Sequence, residues 1–143
     1  MTGGTARVHQ ATCVAIGGRG VLIEGPPRSG KSSLALALID RGAILIGDDG
    51  VTLSGRDGRL FAAPPPRIAG LIEVRNVGLL SVPVANAAPI ALVLQLDESA
   101  PRFVEAAESA ERAGAALPLI RLWPDTPVLA LRAEMALARY GLR

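Results

Sequence analysis

Residues 21–34 read VLIEGPPRSGKSSL. Val21–Glu24 is a short apolar run closed by an acid, suited to a buried strand. Gly25-Pro26-Pro27 stops it, because proline offers no N–H to a sheet and steers the preceding residue away from helix. The period then changes. Leu34, Leu38 and Ile39 share one face of a helix expected over Ser32–Arg41, Ala35 and Ala37 add propensity, and Gly42 suits its C-cap. A strand that runs into a glycine-bounded loop and then a helix is the unit of an α/β fold.

The loop has its own chemistry. Gly25-Pro26-Pro27-Arg28-Ser29-Gly30-Lys31-Ser32 fits GxxxxGK[ST], the phosphate-binding P-loop, and Ser33 continues the set into the helix. Successive backbone N–H groups of such a loop can surround phosphate oxygens, and the helix that follows adds its own free N–H groups and its dipole. Lys31 supplies a compact ammonium to the outer phosphates, and Ser32 supplies a hydroxyl to Mg²⁺. A Gly/Pro turn ahead of any helix can be spelled similarly, but the flanking strand and amphipathic helix favour the phosphate loop. Of the fifteen lysines and arginines, Lys31 is the only lysine. Arginine serves every other cationic position, yet its broad planar fork does not replace an ammonium on a phosphate.

Outward from this unit, Thr12–Ile16 and Val21–Glu24 flank a GGRG turn and read as a hairpin. Ala43–Ile46 is a strand that ends in Gly47-Asp48-Asp49-Gly50. Val51–Ser54 and Arg59–Ala62 form a second hairpin about Gly55–Gly58. Leu71–Val74 and Leu79–Val82 are strands, and Ile90–Leu96 is a near-continuous apolar run expected at the centre of a sheet. The Ala- and Glu-rich stretch Arg102–Ala113 reads as a helix, Leu119–Leu122 as a strand, and Val128–Tyr140 as a final helix with Pro127 in its first turn. The expected architecture is one mixed, strand-rich α/β domain over residues 1–143. Half the residues are hydrophobic and aromatics make up 3%, so the core must be built from Leu, Ile, Val and Ala. The formal charge is +2, with arginines scattered rather than clustered, which does not suggest nucleic-acid binding. No apolar run is long enough to span a bilayer, MTGGTARVHQ lacks the apolar centre of a signal peptide, and Cys13 has no partner cysteine. A reducing cytoplasm is the expected compartment.

Four further sites carry candidate chemistry. Asp48 and Asp49 follow a strand end, where α/β proteins place ligands; one can hold Mg²⁺ and the other accept a proton, or both can lie in a solvated turn. Asp97 follows the apolar run Ile90–Leu96 in a similar way, but Glu98-Ser99-Ala100-Pro101 after it reads as an ordinary loop opening. Glu73 and Arg75 share one strand face, either as a surface ion pair or as a metal ligand and a phosphate contact. His9, just before the first expected strand, is the sole histidine.

Taken together, VHQATCVAI (8–16), VLIEGPPRSGKSSLALALIDRGAILIGDD (21–49) and LIEVRNVGLL (71–80) resemble the catalytic domain of HPr kinase/phosphorylase, in order and with matching spacing over residues 7–82. The resemblance implies a P-loop kinase fold similar to the nucleotide domain of phosphoenolpyruvate carboxykinase. It implies an ATP- and Mg²⁺-dependent serine kinase acting on HPr, the phosphocarrier of the phosphotransferase system, with phosphorolysis as the reverse activity. Gly25–Ser33 then hold the nucleotide. Asp48 serves as base and Asp49 as its metal- or geometry-supporting neighbour. Ser32 and Glu73 are metal ligands, Arg75 is the arginine of the family signature, and His9 lies near the reacting phosphate. A homo-oligomer is implied, a hexamer in longer members. The chain begins at the catalytic domain, as short alphaproteobacterial forms do. It departs from the family pattern at Asn76, where glycine is usual. The family's basic loop also has no match near Pro118–Arg132, where Arg121 and Arg132 are the only candidates, and this leaves the phosphorylase direction open. The competing readings are a small-molecule P-loop kinase or NTPase, and a module that senses ATP without catalysis.

Overall fold

The computed structural model describes residues 6–67 and 69–143. In chain order the strands are β1 (Arg7–His9), β2 (Thr12–Ile16), β3 (Arg19–Glu24), β4 (Ile44–Gly47), β5 (Val51–Arg56), β6 (Arg59–Ala63), β7 (Leu71–Val74), β8 (Gly78–Ser81), β9 (Ala88–Leu96), β10 (Glu108–Arg112) and β11 (Ala115–Leu122); the helices are α1 (Lys31–Asp40) and α2 (Leu129–Tyr140). The main sheet runs β1-β5-β6-β9-β3-β2-β4, with β11 also on β9 and β10 on β11; β7 and β8 pair by themselves. β9 is the central strand the sequence predicts. Ile90–Leu94 and Leu96 are almost fully buried, and β9 runs parallel to both β3 and β11.

One apolar cluster lies on the helix side of the sheet, where Leu34, Ala35 and Leu38 of α1 and Ala133 and Leu137 of α2 meet Val21, Ile23, Leu92 and Leu94. The other lies on the opposite face, where Cys13, Leu22 and Val93 meet Val51, Leu53, Leu60, Leu117 and Leu119. Because side chains alternate across a strand, Leu22 and Ile23 serve opposite clusters. Burial pushes the Cys13 thiol far above its ordinary range, so it behaves as a small apolar side chain.

The topology brings distant segments to one edge. β3 and β4 both pair antiparallel to β2 and so run in the same direction. Their carboxyl ends, Glu24 and Gly47, therefore lie beside the amino end of β2. The carboxyl ends of β9 and β11 fall on the same side of the sheet.

Two sequence readings needed correction. Arg102–Ala113 is not a helix: Glu108–Arg112 is β10, antiparallel to β11, and no helix is assigned across 101–107. Helix propensity there sums to too little to outweigh pairing with β11, whose Leu117 and Leu119 bury only when the hairpin lies against the core. His9, read as preceding the first strand, ends the short strand β1, paired with Val51.

Three hairpins close with two-residue turns in which both residues have positive φ, the twist-compatible type I′ form. They are Gly17-Gly18, Asp57-Gly58 and Ala113-Gly114. Ala113, at φ 49°, has neither the freedom of glycine nor the local hydrogen bonding of aspartate. Ala113→Asn is expected to stabilise the protein by about 1 kcal/mol, seen as a melting temperature higher by roughly 2–4 °C in calorimetry. No change would mean that the turn relaxes at no cost.

Candidate active site

The edge just described opens into a cavity of about 620 Å³. Of the residues singled out from sequence, His9, Gly25, Pro27, Arg28, Gly30, Lys31, Ser32, Ser33, Asp48, Asp49, Glu73 and Arg75 line it. Pro26 and Ser29 belong to the same loop but face a second cavity of about 420 Å³, shared with Asp97–Ser99 and Pro124-Asp125.

The loop leads into a bare helix end. α1 starts at Lys31, with Gly30 at its cap in the left-handed region (φ 97°), no side-chain cap and no acid in the first turn. The first intrahelical bond is Leu34 N–H to Gly30 O at 2.9 Å, which leaves the N–H groups of Lys31, Ser32 and Ser33 without helical acceptors. Such an end attracts anions. Gly25 is required by packing: a Cβ there would lie 2.6 Å from Ser29 Oγ and 3.1 Å from Leu96 Cβ. Lys31 Nζ donates to the carbonyls of Gly25 and Pro26, both at 3.1 Å.

Asp48 is the hub of the cavity. Its Oδ1 accepts from Ser32 Oγ at 2.6 Å and from Thr12 Oγ1 at 3.1 Å, and its Oδ2 accepts from the Glu73 N–H at 3.0 Å. Thr12 Oγ1 in turn accepts from the Asp49 N–H at 3.3 Å. Gly47 lets the chain turn tightly enough to present Asp48, since a Cβ there would run into the Gly50 carbonyl and Val51. Asp49 itself is exposed and holds a left-handed backbone, φ 62°. Glu73 and Arg75 are exposed at the end of β7 and in the turn after it, where Asn76 takes φ 68° as asparagine readily does.

Sequence reasoning missed three residues. Thr12 is almost fully buried and touches both aspartates, directly or through the backbone. Glu24, the last residue of β3, accepts from His9 Nε2 at 2.9 Å and from Arg112, whose Nη2 reaches Oε1 at 2.6 Å and whose Nε reaches Oε2 at 3.0 Å. Burial pushes the Glu24 carboxyl up, but the hydrogen bonds from Arg112 and His9 outweigh it and hold it below the ordinary carboxylate range. An acid placed between a buried strand and a phosphate-loop pattern was the available signal for Glu24. Arg112 lay inside the stretch misread as helix.

Other candidates are committed elsewhere. Asp97 accepts from Arg121 at 3.1 Å and from the Ser99 N–H at 2.8 Å. Arg121 also binds Glu108, and Arg132 lies over the Trp123 ring at 5.8 Å.

The side chains bonded to Asp48 are the Thr12 and Ser32 hydroxyls, and the described residues hold no cluster of three His, Cys, Asp or Glu side chains able to bind a metal. Such a sparse oxygen set suits Mg²⁺, which keeps several waters and takes phosphate oxygens as ligands. Among the described residues no helix is long and apolar enough to cross a membrane.

Comparison with known proteins bears on this geometry. Residues 4–112 match the family model described as the HPr Serine kinase C-terminal domain. The chain is 35% identical over 101 residues to the HPr kinase/phosphorylase of Mycoplasma mycoides, covering 66% of this chain and 32% of that protein. It is 42% identical over 76 residues to that of Clostridium botulinum, covering 53% and 25%. The chain thus spans a third or less of these curated relatives. Among solved structures, the Hpr(Ser) kinase/phosphatase from Coxiella burnetii superposes with a TM-score of 0.77 at 28% identity, covering 90% of this chain and 86% of that one. A mixed, strand-rich α/β fold is therefore shared with that enzyme, and the family model spans most of the sequence. The chain belongs to the HPr serine kinase C-terminal domain family.

Proposed function

We propose that this chain is a P-loop protein kinase domain that transfers the γ-phosphoryl group of ATP to a serine of HPr. The observation that carries the reading is the Ser32–Asp48 hydrogen bond of 2.6 Å, which sets a carboxylate directly beside the bare N-terminus of α1. In this reading the nucleotide's phosphates lie along Gly25–Ser33, held by loop and helix N–H groups. Lys31 Nζ turns from the Gly25 and Pro26 carbonyls to the phosphate oxygens, and Arg75 adds a second cation. Ser32, Asp49 and Glu73 would hold Mg²⁺, which when bound supplies neutralisation of phosphate charge.

The serine hydroxyl of HPr attacks the γ-phosphorus, its O–P bond forms as the bond to ADP breaks, and its proton passes to Asp48. Oδ2 is the assigned acceptor, because it takes one hydrogen bond where Oδ1 takes two. His9 lines the same cavity, and in this reading it lies near the reacting phosphate. The forward direction is favoured over phosphorolysis. Attack by inorganic phosphate needs further cationic contacts, and Arg121 and Arg132 are engaged away from the cavity. The 143 residues are read as one catalytic domain of a cytoplasmic, self-associating enzyme.

Three outcomes test the reading. Lys31→Ala should weaken ATP binding roughly 10–100-fold in a calorimetric titration, the worth of one charge-assisted contact. Unchanged affinity would remove the phosphate-loop assignment. Glu73→Gln should raise the magnesium concentration needed for half-maximal phosphorylation of HPr, whereas Asp97→Asn should not; the reverse pattern would move the metal to Asp97.

Asp48→Asn is the sharpest test. One amide oxygen can still accept from Ser32 and Thr12, but the NH₂ then faces the Glu73 N–H, at a cost of about 1–3 kcal/mol in stability. The variant should melt lower, keep its ATP affinity, and lose transfer to HPr by roughly 10²–10⁴-fold. Near-normal transfer with labelled ATP would exclude Asp48 as base. A purely ATP-sensing module, by contrast, would show no transfer even in the wild type.

A further inference from the structure

Glu24 is a conspicuous residue to find beside a phosphate-binding loop, because a free carboxylate there would repel the ligand. It is not free. The Arg112 guanidinium grips both of its oxygens, and Oε2 also lies 2.9 Å from His9 Nε2. A deprotonated carboxylate only accepts, so the ring nitrogen facing it must carry a proton. A neutral imidazole has one N–H, so its other nitrogen, Nδ1, is then a bare lone pair. Among the described residues Nδ1 has no hydrogen-bond partner, and His9 lines the main cavity.

The support is built from outside the phosphate-loop unit. Arg112 is the last residue of β10, adjoining the tight Ala113-Gly114 turn. Its pairing with Glu24, 88 residues away in sequence, joins the β10–β11 hairpin to the end of β3. The side chain of Glu24 is 13% exposed and that of Arg112 is 23% exposed, so this pair is shielded more than an ordinary surface bridge. The planar bidentate fork leaves the carboxylate little rotational freedom.

We propose that Glu24, clamped by Arg112, is a positioning residue for His9. It fixes the imidazole as the Nε2–H tautomer and turns Nδ1 into the acceptor offered to the substrate side of the cavity. The consequence for catalysis rests on the kinase reading above; the tautomer does not. Glu24 touches no reacting atom, and its effect passes through His9. Without it the ring is free to rotate and to exchange tautomers, so the fraction of enzyme that presents an acceptor falls while the phosphate loop stays intact. The expected signature is a loss in kcat of roughly 10–100-fold, the scale seen when the hydrogen-bond partner of a metal-bound imidazole is removed, with KM for ATP unchanged.

His9 is the only histidine, so one pair of imidazole ¹⁵N signals reports the ring without assignment by mutation. At a pH where imidazoles are neutral, the ligand-free wild type should show Nε2 as the protonated, pyrrole-type nitrogen and Nδ1 as the pyridine-type one. Glu24→Ala should move both signals toward a tautomer mixture. Glu24→Met, which keeps most of the volume should the alanine variant fold poorly, should do the same because its thioether offers Nε2 no carboxylate acceptor. Turnover with ATP and HPr should then fall in kcat alone. A wild-type spectrum with Nδ1 protonated overturns the proposal, as do variants whose ¹⁵N signals stay where they were. A merely structural Glu24 would lower the melting temperature and leave the spectrum of the folded fraction unchanged, which also overturns it. If the spectra behave as expected but the wild type transfers no phosphate to HPr, the kinase reading fails and the positioning role stands.

Discussion

The Asp48 carboxylate holds the working edge of this molecule together. Its donors come from the start of β2, the second residue of α1 and the backbone of β7, segments 36, 16 and 25 residues away. A partly buried carboxylate keeps its charge only if such donors replace lost water. Here that need doubles as a spatial constraint. The bond from Ser32 fixes where the N-terminus of α1 points, and with it the free N–H groups of the first turn. The bond from Glu73 N–H draws the small β7–β8 hairpin over the cavity. The loop Gly25–Gly30 then has little choice of path, since the end of β3 and the start of α1 are both pinned.

The parts legible in the sequence were those decided locally. The change from strand to helical period around Gly25–Ser32 predicted β3, the loop and α1 to within a residue or two. Gly17-Gly18 and Asp57-Gly58 announced their turns because both first positions tolerate positive φ. Ala113-Gly114 did not, since alanine there argues for helix, and β10 was lost with it. Six of the eight motif residues, all but Pro26 and Ser29, line the cavity for the same local reason, being close together around one turn. Thr12, Glu24 and Arg112 were hidden because each acquires its role from a partner the sheet topology brings in. Nothing in the spelling of ESAER says that its last residue will cross to an acid 88 positions earlier.

The cavity contains four carboxylates, and they are stabilised by different means. Glu24 is neutralised by Arg112 and held ionised below its ordinary range. Asp48 is held by hydroxyl and backbone dipoles, which support a charge without cancelling it. Asp49 and Glu73 are exposed, where water screens them. A polyphosphate brings several more negative charges to this wall. Arg28, Lys31 and Arg75 do not outweigh that sum, and a divalent cation would offset part of the remainder in the proposed nucleotide complex. The same bookkeeping explains the absence of an acid from the first turn of α1, the one place where a carboxylate would compete directly with a phosphate for the helix dipole.

The single lysine follows from the loop's dimensions as well as from phosphate chemistry. Its ammonium sits 3.1 Å from two carbonyls that are consecutive in the chain, Gly25 and Pro26. A compact group with three rotatable donors can meet two such acceptors and still turn a third N–H outward. A guanidinium projects its donors in one fixed plane, and its width would press on a loop packed closely enough that Gly25 cannot carry a Cβ. Arg112 and Arg121 meet the opposite demand. Arg112 on Glu24 is a planar fork on a planar carboxylate, and Arg121 spans Glu108 and Asp97 with separate nitrogens. At Arg112 and Arg121 the partner is flat or divided and suits a guanidinium, whereas at Lys31 the two adjacent carbonyls inside a tight loop suit a compact ammonium.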